Sequence, residues 1–501
     1  MQEKNPSLKL NMILNAINGF MSVILPLITF PYVSRILGVE NIGRYNFAAS
    51  VVSYFILFAE FGINTYAVRE GAAKKKNKKE LNNFANRIIS FNVLTSIFSF
   101  ILLLILIFTV PKFKDYTVLL LILSLQVLLK PFAVEWIYSV YEDYLYITLR
   151  SIAFQVIFIA LLVLIFRNHP NLIMYVSIVA FSACCTNIFN FIYSRKYLVI
   201  GFTKDIKIRD DIKSILMIFG MSLTSTIYVS SDTTILGFLC DDHVVGIYSA
   251  SVQVYTIVKM ILSSVLVVSI PRLAAYYGNN ELNEFKTTAV DIYKTLLTVV
   301  MPSITALIIF RKHIVRAIGG KQYLESSSSL GLLGIALLFC MSAWFWGQCV
   351  LVATKHEKDV FAVTVVCAIV NIVLNFALIP LWQENAAAFT TIIAEATAYV
   401  WCMYKGKKYI KLEGFISVFL KSVIGCIGML ITGLLLMKAI EDILIQVIVI
   451  VPVSIILYTL IEMILKNEVA CSLLKEIKSK VINEKFQKYK EFEMRRDKDR
   501  E

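Results

Sequence analysis

The sequence predicts an all-α polytopic membrane protein with about 14 transmembrane helices. Of the 501 residues, 58% are hydrophobic and 17% are charged, and the mean hydropathy is +0.73. About 20 apolar residues cross the hydrocarbon core, where only helices and closed barrels satisfy the backbone polar groups. The apolar stretches are too long and too uniform for the alternating strands of a barrel. A helical bundle therefore remains.

The predicted spans follow one another with no room for a soluble domain between them. They are residues 10–34, 43–63, 84–110, 117–139, 146–167, 171–194, 213–236, 245–271, 292–312, 328–352, 359–380, 386–405, 415–437 and 443–466.

The positive charge is one-sided with respect to these spans. The net charge of +14 would suit a nucleic-acid partner, but most of the 49 Lys and Arg residues lie in the alternate loops that include both termini. That bias is the positive-inside rule. It excludes nucleic acid as the reason for the charge. It also predicts cytoplasmic termini and an even number of spans.

Cysteine and histidine give no sign of catalysis. The nine cysteines lie mostly inside spans without metal-site spacing, and the four histidines fall in separate loops. We therefore predict no metal, no cofactor and no enzymatic nucleophile.

A motif occurs twice along the chain. Ile36-Leu37-Gly38 is followed by Gly43-Arg44-Tyr45, and Ile235-Leu236-Gly237 is followed by Gly246-Ile247-Tyr248. In both copies an arginine lies 26 residues after the second glycine of the motif: Arg69 follows Gly43, and Arg272 follows Gly246. The copies start six spans apart, so they enter the membrane in the same direction, as parallel repeats do.

The duplication predicts two pseudo-symmetric six-helix lobes and two additional helices. The predicted boundaries are 1–210 and 211–410 for the lobes, 411–466 for the two helices and 467–501 for a basic cytoplasmic tail. Two such lobes enclose a cleft, and a cleft that opens alternately to either side is the usual mechanism of a carrier.

Charges deep inside spans are costly and mark functional candidates. Lys130 and Lys259 lie near the middle of spans in different lobes, where both would bind an anion in the cleft. The alternative is structural pairing, of Lys130 with Glu135 and of Lys259 with Glu395. Glu395 and Glu60 are also candidates for ion coupling.

Arginines at span ends are further candidates, because guanidinium groups match phosphate geometry. Arg35, Arg69 and Arg272 are predicted ligands on this ground. The alternative is ordinary membrane-boundary chemistry.

The first and seventh spans, which open the two repeats, carry polar side chains that suit a wet cavity. Those singled out are Asn15, Asn18, Ser22, Thr224, Ser225 and Asp232. The alternative is helix–helix packing through small and hydroxyl residues.

The opening of the chain resembles the bacterial polysaccharide-repeat-unit flippases of the multidrug/oligosaccharidyl-lipid/polysaccharide exporter superfamily. The resemblance is carried by residues 31–48 (PYVSRILGVENIGRYNFA) and 61–70 (FGINTYAVRE). It implies transport of polyprenyl-diphosphate-linked oligosaccharide between leaflets for cell-surface polysaccharide biosynthesis, through a cationic cavity. It also implies a location in the bacterial cytoplasmic membrane, proton or sodium coupling, and contact with membrane lipids and polysaccharide polymerase machinery.

Two rival functions stay open. A drug/cation antiporter of the same superfamily would need an acidic cavity, whereas the midplane here has two lysines against Glu395. A membrane-embedded polysaccharide polymerase would need catalytic carboxylates and a large outer loop. The longest predicted outer loop, residues 313–327, has Glu325 as its one acid.

Overall fold

The computed structural model describes residues 8–168, 170–203, 211–439 and 446–472. Throughout these ranges the chain forms helices and connecting turns, with no strand. The predicted all-α membrane fold is confirmed.

The helices in the first half of the described chain are mostly long and apolar. They are α1 (Leu8–Glu60), α2 (Ile63–Lys74), α3 (Lys78–Thr109), α4 (Thr117–Leu128), α5 (Glu135–Tyr141), α6 (Tyr144–Leu161) and α7 (Leu172–Ser194). A π-helical turn, Leu162–Phe166, continues α6, and 3₁₀ turns at Pro111–Tyr116 and Lys130–Phe132 flank α4.

The second half is similar in character. Its helices are α8 (Ile212–Leu239), α9 (Asp242–Gly278), α10 (Leu282–Ile309), α11 (Arg311–Gly319), α12 (Ser326–Trp344), α13 (Glu357–Gly406), α14 (Phe415–Ala439) and α15 (Val451–Ile464). π-Helical turns follow α12 at Phe345–Val352 and precede α15 at Gln446–Ile450.

The number of spans agrees with the prediction. Within the described ranges, eleven helices are long and apolar enough to cross a membrane. Two of them contain a residue with non-helical dihedrals, Gly38 in α1 (φ 80°) and Gln383 in α13 (φ 50°), and are each two helices joined at a kink. With the shorter apolar helix α15, about fourteen crossings result. α1 also contains Pro26 and Pro31, but the residue with non-helical dihedrals is Gly38.

The described residues form two compact units. The first comprises the chain up to Ile257 with Ile318–Leu333 and Phe361–Ala394, and the second comprises Val258–Ala317, Gly334–Val360 and the chain from Glu395 onward. The predicted boundaries at 210, 410 and 466 stay predictions. Most of the predicted basic tail, from residue 473, lies outside the described residues.

Each unit has an apolar core. In the first, Tyr66, Phe84, Trp136 and Tyr138 join α2, α3 and α5. In the second, Phe310, Cys426, Met429, Ile450 and Tyr458 join the end of α10 to α14 and α15.

The repeated glycines meet inside the first unit. A Cβ atom built on Gly43 would lie 1.8 Å from the carbonyl oxygen of Asp242, and one built on Gly246 would lie 2.1 Å from that of Val39. Each glycine thus faces the backbone carbonyl of the residue four positions before the other glycine. The two copies of the motif cross reciprocally, and no side chain fits between α1 and α9 there.

Candidate functional site

Lys130 and Glu60 each lie beside an interruption in a spanning helix. α1 ends at Glu60, and the next two residues, Phe61 and Gly62, have positive φ before α2 begins. α4 ends at Leu128 because Pro131 disfavours helical backbone in the residue before it. Lys130 therefore lies at a break rather than inside the continuous span predicted over 117–139.

At these two breaks, the Lys130 ammonium group lies close to the C-terminal end of α1. Lys130 Nζ lies 2.9 Å from Glu60 Oε2, and the side chains are 25% and 31% exposed. The carboxylate and the negative end of the α1 dipole both attract the ammonium group. The pairing of Lys130 with Glu135 considered from the sequence is wrong.

Glu135 instead pairs with an arginine that the sequence argument passed over. Arg150 of α6 is buried, and its Nη2 lies 2.5 Å from Glu135 Oε1. Its Nη1 donates a hydrogen bond to Asn190 Oδ1 of α7. The carboxylate and the amide oxygen offset part of the cost of removing the guanidinium charge from water, so the loss of either partner would leave a poorly compensated buried charge.

A small cavity of about 50 Å³, with both polar and apolar walls, lies between the two pairs. Its walls include both members of the first pair, the carboxylate of the second, and two amides. These residues are Glu60, Lys130, Glu135, Asn64 and Asn92. A water fits in such a space, but a sugar does not.

Asp232 of α8 lies buried in a second polar network in the same unit. Its Oδ2 accepts hydrogen bonds from Tyr248 Oη at 2.8 Å and Thr391 Oγ1 at 2.9 Å, and its Oδ1 accepts one from Asn375 Nδ2 at 2.6 Å. Every donor that the described structure gives this carboxylate is neutral.

The network extends to further oxygen atoms. Asn371 Oδ1 accepts from Ser231 Oγ at 3.0 Å and from Asn375 Nδ2 at 3.1 Å. Carboxylate, amide and hydroxyl oxygens are the ligands that a hard cation prefers. Asp232 could therefore hold a proton, and Asp232, Asn371 and Thr391 could together bind a small cation through their oxygen atoms.

Lys259 faces partners in the second unit. The partly buried side chain interacts with the Glu395 carboxylate and with the Cys340 side chain. Glu395 itself is buried. The sequence-based alternative, in which Glu395 balances Lys259, agrees with this electrostatic interaction and stays a prediction.

The predicted arginines are exposed. Arg35 is exposed on α1. Arg69 pairs with the adjacent Glu70 at 3.2 Å and lies over the Tyr66 ring. Arg272 donates to Tyr276 Oη at 3.0 Å. Their surroundings are those of ordinary arginines at a membrane boundary, and their role as ligands stays a prediction.

The predicted cavity-lining residues lie in different environments. Ser22 and Thr224 donate to their own helices, at the carbonyl oxygens of Asn18 and Gly220. Ser225 is exposed, whereas Asp232 is buried. The side chain of Asn15 lies outside the described ones.

Sequence reasoning missed Arg150 and the partners of Asp232. Arg150 was counted with a loop because it lies near the start of span 146–167, although its place four residues inside an apolar run was a signal. The amides Asn371 and Asn375 are one helical turn apart in an apolar span, which was a second signal. Their contact with Asp232 depends on tertiary structure.

Comparison with known families gives two matches. The family described as "Polysaccharide biosynthesis protein" matches residues 8–277, and the MatE family matches residues 216–377. The first covers more than half of the chain.

Two curated proteins are similar along most of their length. One is a putative O-antigen transporter of Escherichia coli (strain K12), 22% identical over 396 residues, which are 78% of this chain and 94% of that protein. The other is the capsular polysaccharide biosynthesis protein CapF of Staphylococcus aureus, 24% identical over 380 residues, 74% of this chain and 91% of that protein.

Solved structures show the same fold. A lipid II flippase MurJ in an inward closed conformation superposes with a TM-score of 0.73 at 16% identity, covering 93% of this chain and 99% of that one. An inward-facing multidrug resistance MATE family transporter gives 0.58 at 12% identity, covering 80% and 95%. At these identities the likeness establishes the transporter fold.

Proposed function

We propose that this chain, which belongs to the polysaccharide biosynthesis protein family, is a flippase for polyprenyl-diphosphate-linked oligosaccharides. It moves repeat units from the cytoplasmic to the outer leaflet for cell-surface polysaccharide. The observation that carries the proposal is the family match over residues 8–277, which includes both the crossing glycines and the Lys130 site. The similar O-antigen transporter and capsular polysaccharide protein support it.

The substrate presents a physical problem that the charged residues address. A diphosphate and its sugars are rejected by hydrocarbon, so a carrier must replace their hydration with fixed charges. Lys130 is one-quarter exposed and held by a single carboxylate, Glu60, at 2.9 Å. We propose that the diphosphate displaces Glu60 from Lys130 as it enters, while Lys259 and the arginines Arg35, Arg69 and Arg272 provide further positive charge.

Ion coupling is assigned to Asp232 in this proposal. A carboxylate buried among neutral donors inside a spanning helix is costly unless a proton or cation accompanies it. The predicted coupling residues Glu60 and Glu395 instead have lysine partners. Loading and release of the ion at Asp232 would then bias which side of the carrier is open.

The remaining parts of the proposal are supported by the charge bias, the duplicated motif and the family resemblance. The protein lies in the bacterial cytoplasmic membrane with both termini in the cytoplasm, as two six-helix lobes with two additional helices. It acts as a carrier without catalysing a reaction and contacts the polysaccharide polymerase machinery.

The test is to delete the gene and locate the lipid-linked repeat units. We expect them to accumulate, protected from reagents outside the cytoplasmic membrane, and purified protein in liposomes to restore their exposure. Normal surface polysaccharide in the deletion strain, with no accumulated repeat units, would contradict the proposal.

A drug/cation antiporter is the second candidate, favoured by the MatE match over residues 216–377. It predicts that the deletion strain becomes sensitive to cationic drugs. We expect no change in drug sensitivity, because the cationic cavity of the proposed flippase would repel cationic substrates.

A further inference from the structure

The second unit contains a basic cavity that no part of the transport proposal uses. Its volume is about 640 Å³. One wall is a stripe along α10 at helical spacing, formed by Asn283, Lys286, Thr287, Val290 and Lys294. The opposite wall is the connection between α13 and α14, residues 407–413. The cavity is large enough for a drug-sized ligand.

Positive charge dominates the lining. Five lysines contribute to it, against the carboxylates of Asp291 and Glu413. The lysines are Lys286, Lys294, Lys407, Lys408 and Lys411. Since like charges repel when crowded into one concave surface, this arrangement favours an anion with more than one negative oxygen.

Neighbouring groups hold several of these lysines in place. Lys407 lies over the Tyr404 ring at 4.4 Å, and Lys408 lies over the Tyr409 ring at 4.9 Å. Lys294 donates to Glu468 Oε2 at 3.0 Å, which lowers the pKa of that carboxyl. The Glu468 side chain is 73% exposed, so an incoming anion can displace it at little cost.

The cavity lies at the level of lipid headgroups. α10 begins at Leu282, ten residues before the apolar stretch predicted from 292, so its first turns extend beyond the hydrocarbon. Residues 407–413 connect two spans at the same end. By the charge bias this is the cytoplasmic end, where anionic phospholipids give the membrane surface its negative potential.

We infer that this cavity binds the phosphate-bearing headgroup of an anionic phospholipid of the inner leaflet. The phosphate lies between the α10 lysines and those of residues 407–411, and the acyl chains remain in the bilayer. The bound lipid ties α10 to the start of α14. A free phosphate ion shares the chemistry but lacks the acyl chains that hold a lipid at this level.

The test compares purified full-length wild type with Lys286→Gln/Lys411→Gln, which removes one exposed charge from each wall. Nanodiscs of phosphatidylcholine containing graded amounts of phosphatidylglycerol provide the lipid, and native mass spectrometry counts the phosphatidylglycerol retained. Two charges near the surface are involved, so we expect the variant to need at least about tenfold more phosphatidylglycerol for half-occupancy. Inorganic phosphate added to the wild type distinguishes the sources, and we expect it to compete only at millimolar concentration.

The matched control is Lys355→Gln/Lys358→Gln, which removes two exposed lysines from another connection at the same end. It should retain phosphatidylglycerol as wild type does. Equal losses in both variants would show general surface attraction and overturn the inference. Because no transport substrate is present, failure here leaves the flippase proposal untouched. The melting temperature in pure phosphatidylcholine verifies that both variants fold.

Discussion

The two copies of the repeated motif use the same glycine for different physical reasons. In the first copy Gly38 has φ 80°, a left-handed conformation that other residues adopt only with strain. In the second copy Gly237 lies inside the regular helix α8, where a Cβ would fall 2.0 Å from the Phe47 ring. One copy needs backbone freedom at this position, and the other needs space.

The second glycine of each copy has a single role, since Gly43 and Gly246 face each other's backbone. The polar groups in the interior of the two halves of the chain differ in how their charge is compensated. In the first half of the chain, charges are neutralised in pairs, Lys130 with Glu60 and Arg150 with Glu135. In the second, Asp232 has only neutral donors in the described structure. The crossing is thus symmetric, while the electrostatics is not.

The largest loss of stability should come from disrupting the helix crossing at Gly43 and Gly246. Gly43→Ala or Gly246→Ala places a methyl group within about 2 Å of a backbone carbonyl, so the helices must separate. We expect each to lower the free energy of unfolding, measured by SDS titration in micelles, by about 3 kcal/mol.

Gly19→Ala and Gly220→Ala are the matched controls. Nothing lies within 4 Å of a Cβ built at either position. Alanine there should leave stability unchanged or raise it by up to about 1 kcal/mol, because glycine is the poorer helix former. If all four variants behaved alike, the close crossing would be wrong.

Arg150→Met comes next, and it tests whether the charges of the first network are structural. The change leaves Asn190 without its donor in the buried interior and Glu135 without its cation. We expect a loss of about 2 kcal/mol of unfolding free energy in the same titration. The exposed Arg167→Met on the turn after α6 should change it by less than about 0.5 kcal/mol.

Asp232→Asn sharpens the contrast between paired and unpaired charge. The amide keeps most of the local shape but can no longer exchange a proton or a cation. In liposomes loaded with lipid-linked oligosaccharide, we expect transport to fall at least about tenfold and to lose its response to an imposed pH or sodium gradient. Asp232→Glu should retain part of that response. A gradient response unchanged in Asp232→Asn would contradict coupling at this residue.

Much of the fold was predictable because hydropathy and charge bias are local properties of the chain. The spans and the duplicated motif follow from the sequence alone. The interruption of the fourth span at Lys130 was missed, although Pro131 marks it. The break at Gln383 lies between the predicted spans 359–380 and 386–405, so its place along the chain was predicted. That a glutamine adopts a positive φ there was not predicted, since this conformation reflects packing rather than intrinsic preference.

The candidate site was less predictable for a physical reason. Burial cost identifies which residues need a partner, and Lys130 and Lys259 were found in that way, whereas Asp232 was singled out as a polar residue of a predicted cavity wall. Which partner each takes depends on helix rotation and depth to within a few ångströms. A guess from spacing along one helix therefore chose Glu135 for Lys130, whereas the partner is Glu60 at the end of another helix.

The smallest expected effect on stability concerns the Lys130–Glu60 pair. The same variants test whether Lys130 has a structural role or binds the substrate. Both side chains are partly exposed, so the interaction energy from a double-mutant cycle with Lys130→Met and Glu60→Gln should be about 1 kcal/mol or less. Transport should respond differently from stability. If the diphosphate displaces Glu60, Lys130→Met weakens the apparent affinity for substrate, whereas Glu60→Gln strengthens it by removing a competitor. Equal losses of transport in both variants would instead mean that the pair acts as a unit, as Arg150 and Glu135 do, and the anion site would have to lie elsewhere.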